Sequence, residues 1–162
     1  MEYTQSRVTE IIKELEKDFG VSVDDLEVEP GIAEELKNCN GQDRYDQCSC
    51  CYGRKIILGF YDDIELKLIS LFHELGHITW DTADYEDFSI KHDYRSFPIE
   101  IECTNIGLKL ARSKGIYFSD HALSWMYAQA FSYLRDSDDK AISLTREMQK
   151  EFFERKIYGR YL

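Results

Sequence analysis

His73-Glu74-Leu75-Gly76-His77 places two imidazoles and a carboxylate within five consecutive residues. On a helix, side chains four residues apart leave the same face one turn apart, so His73 and His77 can ligate a single zinc ion. Glu74 then stands beside them, able to take a proton from water that the metal activates. A catalytic zinc takes three protein ligands and keeps one position for water, so a third ligand must come from elsewhere in the chain. His92, His121 or an aspartate of the loop after the motif meets the chemical requirement. The first glutamates beyond that loop, Glu100 and Glu102, lie in a helical run that reads as buried and are the better candidates. These two project about 200° apart on a helix, so only one can face the metal. Glu100 shares its face with Cys103, Thr104, Gly107 and Ala111, whose small size admits a close neighbour, and it is preferred over Glu102. The expected chemistry is hydrolysis, with Glu74 taking a proton from the attacking water and handing it to the leaving amine. An oxyanion donor is also needed, and Tyr85, His92, Tyr94 and His121 are the candidates.

Positioning these groups takes a strand and two helices. Residues 54–61 are short, β-branched and apolar between Gly53 and Asp62-Asp63, which predicts a strand leading straight into the motif helix. Asp62 or Asp63 caps that helix, and Glu65 suits the positive end of its dipole. Ile64, Leu68, Leu71, Phe72 and Leu75 form one apolar stripe while Leu66, Ile69 and Ile78 fall on other faces, so the helix is buried around most of its circumference. Histidines and a glutamate in such a place need partners, and metal ligation supplies them. Pro98 opens the second helix, which runs to near Gly115.

Around this centre, residues 6–19 carry Val8, Ile11, Ile12, Leu15 and Phe19 at helical spacing, with Gly20 as a C-cap. Residues 21–23 read as a short strand and residues 24–35 as an acidic loop broken by Pro30-Gly31. Cys39, Cys48, Cys50 and Cys51 fall in a polar segment. Cys48 and Cys51 have C-x-x-C spacing that Cys39 could join as a small structural zinc site, but no second pair completes it and free cysteines in a loop are the simpler expectation. Residues 81–97 are acidic and aromatic, and either wall the cleft or form a solvated loop. Ser119 caps a fourth helix with Leu123, Met126, Tyr127, Ala130, Phe131 and Leu134 on its buried stripe, and Ser137 or Asp138 starts a fifth. The expected class is α+β: one helix-rich domain over 1–162 with a small β-sheet, a core at about 54–111 and C-terminal helices over 119–157.

The formal net charge of −11 and a pI near 4.8 argue against nucleic-acid backbones and anionic lipid as partners. No apolar signal core opens the chain and no run is long enough to span a bilayer, so a cytoplasmic protein is expected. Five cysteines, crowded and odd in number, suit a reducing compartment and free thiols.

The strand, the block Leu71-Phe72-His73-Glu74-Leu75-Gly76-His77-Ile78, and Glu100-Ile101-Glu102-Cys103-Thr104 followed by Gly107 and Ala111 resemble the ImmA/IrrE family of zinc metallopeptidases. There, as in gluzincins generally, a helix of the form E-x-E-A-[ND] follows the H-E-x-x-H helix. The resemblance covers roughly residues 54–111 and implies a zincin-like fold. It further implies one catalytic zinc on His73, His77 and Glu100, with Glu74 as catalytic base. Cys103 replaces the usual alanine, and Thr104 replaces an asparagine or aspartate that often orients a ligand histidine. The family typically cleaves a helix-turn-helix repressor of a phage or mobile element, which implies a protein substrate of that kind; an acidic cleft loop would suit a basic DNA-binding partner. The alternative is a zinc-stabilised module that binds a protein partner without cutting it.

Overall fold

The computed structural model describes residues 3–25, 49–80 and 97–132. Helix α1 (Gln5–Phe19) starts where the Thr4 hydroxyl accepts a hydrogen bond from Arg7 N at 3.3 Å and stops at Gly20, whose φ of 61° suits a residue without a Cβ. Its predicted stripe is the buried one: Val8, Ile11 and Leu15 are fully covered, with Ile12 and Phe19 against the same cluster. The Arg54 side chain donates to the Phe19 and Gly20 carbonyls, satisfying acceptors that a helix end leaves open.

Three strands form one mixed sheet in the order β1-β3-β2. β1 (Ser22–Asp25) lies parallel to β3 (Lys55–Leu58), and β2 (Cys50–Tyr52) lies antiparallel to it. Two readings from sequence are corrected here. Asp24 and Asp25, read as loop, continue the first strand because they pair with Ile57 and Leu58, and Lys55 and Lys67 neutralise their carboxylates at 3.2 and 2.5 Å. Cys50 and Cys51, read as polar loop, form a strand because the two-residue turn at Gly53 (φ 55°) and Arg54 folds them back onto β3. β3 is shorter than the predicted strand, since the chain leaves the sheet after Leu58 to reach the next helix. Val23, Ile56 and Cys51 lie side by side across the three strands and face one core cluster, so the sheet delivers Cys51 to the helix beneath it.

That helix is α2 (Ile64–Thr79). Asp63 is its cap, accepting from Glu65 N at 2.8 Å. Leu68, Leu71, Phe72, Leu75 and Ile78 face the sheet and α1, whereas Ile69 points to a second cluster. Helix α3 (Phe97–Ser113) ends in a Schellman motif, in which Ile116 N reaches Ala111 O at 2.9 Å and Gly115 N reaches Arg112 O at 2.8 Å, with Gly115 at φ 72°. Helix α4 (Asp120–Ser132) is capped by Ser119, whose hydroxyl accepts from Ala122 N at 3.2 Å and donates to Glu65 at 2.6 Å. Glu65 therefore ties the start of α4 to the start of α2. Leu123, Met126, Tyr127 and Ala130 build the second cluster with Ile69 and Leu108, and Tyr127 donates to buried Asn105 at 2.8 Å.

The described residues are thus helix-rich with a small mixed sheet, an α+β arrangement. α2 has core on both sides. Among the described residues, no helix is long and apolar enough to cross a membrane. The predicted fifth helix, the loop at 81–96 and Cys39 and Cys48 lie outside the described residues.

Candidate metal centre

Two glycines bring α2 and α3 together. A Cβ at Gly76 would stand 2.1 Å from the Cys103 carbonyl oxygen, and one at Gly107 would stand 2.1 Å from the Phe72 carbonyl oxygen. The helices therefore touch backbone to backbone at two points, and the pairing of 76 with 103 and 72 with 107 makes them antiparallel. Because the contacts bracket residues 73 to 76 on α2, short side chains on α3 reach the histidines.

His73, His77 and Glu100 converge with their ligand atoms within 4.8 Å of one another. The two Nε2 atoms are 3.2 Å apart, and Glu100 Oε2 lies 3.1 Å from His73 Nε2 and 3.6 Å from His77 Nε2. For an ion with tetrahedral bonds of about 2.0–2.1 Å, ligand atoms stand about 3.3 Å apart, so the triangle has the size zinc requires.

The surrounding hydrogen bonds say where the ring protons sit. Thr104 Oγ1 donates its one proton to the Glu100 carbonyl oxygen at 2.8 Å, so at its 2.9 Å contact with His73 Nδ1 it accepts. His73 then carries its proton on Nδ1 and turns the Nε2 lone pair toward the Glu100 carboxylate. Two lone pairs at that distance repel unless a proton or a cation lies between them. On the other ring, His77 Nδ1 is 3.2 Å from Cys103 Sγ. Burial would lower the His77 pKa, but hydrogen bonds with Cys103 and Glu100 and the charges of Glu100 and Glu74 outweigh it and raise it well above the usual histidine value. Burial pushes the Glu100 carboxyl up, yet the two histidine rings that face it outweigh burial and hold it well below the usual carboxylate range. Without a metal, the cluster keeps a proton in the place of the cation.

Glu74 is buried on α2, beside Cys51 of β2 across the sheet–helix boundary. Burial, followed by the Glu74 charge, pushes the Cys51 thiol far above its usual pKa, so it stays neutral there. Cys50, Cys51 and Cys103 are thiols rather than members of a disulfide.

Of the residues singled out from sequence, the structure brings together His73, His77 and Glu100. Glu102 is half-buried and stands outside the group, and His121 is exposed in the first turn of α4. Tyr85, His92, Tyr94 and the aspartates of the loop lie outside the described residues. Sequence reasoning placed Thr104 where a residue orients a ligand histidine but missed the parts of Cys103 and Cys51. Cys103 had a signal, since it follows Glu100 by three residues and shares its face; Cys51 had none without knowledge of β2. Comparison with protein families, with curated proteins and with solved structures finds no match for this chain.

Proposed function

We propose that the chain is a zinc-dependent endopeptidase with a zincin-like fold, in which His73, His77 and Glu100 hold the ion and Glu74 is the catalytic base. The observation that carries this reading is the ligand triangle, with separations of 3.1, 3.2 and 3.6 Å, next to a buried carboxylate that is not part of it. Zinc at that position would supply Lewis-acid polarisation of the scissile carbonyl and of water. The chain's own residues do the rest. Thr104 fixes the His73 ring through Nδ1, and Glu74 takes a proton from the attacking water and returns it to the leaving amine. The substrate on this reading is a protein, a helix-turn-helix repressor of a phage or mobile element, and the setting is cytoplasmic. The resemblance to ImmA/IrrE peptidases supports that choice, and a net charge of −11 suits a basic partner.

Glu74→Gln keeps the shape and removes the base. It is expected to retain stoichiometric zinc while losing cleavage of a candidate repressor by roughly 10²–10⁴-fold. Undiminished cleavage would end the assignment of Glu74. A second reading, a zinc-stabilised module that binds a protein without cutting it, is favoured by one observation: Glu74 is buried beside the neutral thiol of Cys51 rather than open to solvent. Zinc-loaded wild type that binds a repressor but leaves it intact would decide for that reading.

A further inference from the structure

We infer that Cys103 is the positioning residue of His77. Its sulfur accepts the Nδ1 proton and so turns Nε2 toward the metal position. The inference rests on the reading of the site as a zinc centre, and concerns a residue whose type departs from the resembled family's alanine.

Three observations carry it. Cys103 Sγ stands 3.2 Å from His77 Nδ1, while His77 Nε2 is the ring atom that meets His73 Nε2 at 3.2 Å and Glu100 Oε2 at 3.6 Å. A neutral imidazole has one N–H, and ligation through Nε2 requires that proton on Nδ1, where the sulfur is the acceptor. Cys103 is fully buried, and its backbone is pressed against α2 at Gly76, the residue before His77. The sulfur therefore has little freedom to leave the ring. The neighbouring residue does the same job on the other ring, with Thr104 Oγ1 at 2.9 Å from His73 Nδ1. Each imidazole thus has its own fixed acceptor on α3, which is the arrangement that orients ligand histidines and raises their affinity for metal.

A buried cysteine is often only a small apolar filler. Filling alone would affect melting temperature, whereas positioning also sets the ring tautomer and the metal affinity. The test uses the full chain as Cys103→Ala, Cys103→Ser and Thr104→Val. In metal-free protein, imidazole ¹H–¹⁵N resonances should report a hydrogen-bonded, slowly exchanging Nδ1–H for His77 in wild type. Cys103→Ala should lose that protection at His77 alone, and Cys103→Ser, which keeps an acceptor, should restore it. Thr104→Val should disturb His73 alone. Zinc affinity by chelator competition should fall about 10-fold in Cys103→Ala and recover in Cys103→Ser. An unchanged His77 Nδ1–H signal in Cys103→Ala overturns the inference, as does unchanged affinity in a zinc-binding protein. Wild type that takes up no zinc overturns the peptidase reading, while the metal-free spectra still decide the Cys103 contact.

Discussion

Cys103 and Thr104 are neighbours in sequence yet touch different histidines, because consecutive helical residues are turned about 100° apart and the rings they meet are one turn apart on α2. The residues that can bear the chemistry were legible in the sequence: the spacing of His73 and His77 and the small-residue face carrying Glu100 singled out the groups that converge. What was not legible is which side chain stands opposite which ring. That depends on how two helices cross, and Thr104, taken alone, looked like a weakened substitute rather than a fitted acceptor. Glu100→Ala is expected to leave no stoichiometric zinc by metal analysis, whereas Glu102→Ala, outside the triangle, should keep it. Ser70 offers a contrast. Its hydroxyl is buried without a hydrogen-bond partner among the described residues. Ser70→Ala should therefore be neutral or stabilising by up to about 1 kcal/mol in denaturant melts, since it deletes an unsatisfied group.

Among the elements, the crossing of α2 and α3 depends on Gly76 and Gly107, because at each the atom in the way is backbone rather than a side chain that could swing aside. Gly76→Ala or Gly107→Ala should cost about 3 kcal/mol or more, the upper end of overpacking penalties. Because the helices must separate, either variant should also lose zinc affinity, measurable by chelator competition. The helices themselves were readable, from Gly20 after α1, Asp63 before α2, Gly115 after α3 and Ser119 before α4, although the Thr4 cap of α1 was not. The strands were less so. β2 is three residues with no alternation to betray it, and β1 runs into two aspartates whose low strand propensity is offset by pairing along β3 and by two lysines.

For the molecule as a whole, the coupled charges of the site predict how stability follows pH. Glu100 is held below its usual range, so its contribution is complete above about pH 4.3 and is lost as pH falls through its depressed value. His77 is raised, so its contribution is complete below about pH 6.5 and fades as pH climbs through its higher value. The metal-free protein should thus keep the cluster's full contribution in the mildly acidic window between them. Zinc must displace the proton on His77, so the rise in melting temperature on adding zinc should grow between pH 6 and pH 8, and a chelator should abolish it. A zinc effect that shrinks with rising pH would contradict a histidine-ligated ion.

The counter-face that α3 presents to the histidines lies within a little over one turn, from Glu100 to Thr104. Such a compact arrangement makes the site more sensitive to chain length than to composition. One residue inserted or deleted between Thr104 and Gly107 leaves every functional side chain in the sequence but rotates Glu100 by about 100° relative to Gly107. Homologous chains should accordingly vary freely in the length of the segment before α3 while tolerating no insertions or deletions from Glu100 to Gly107.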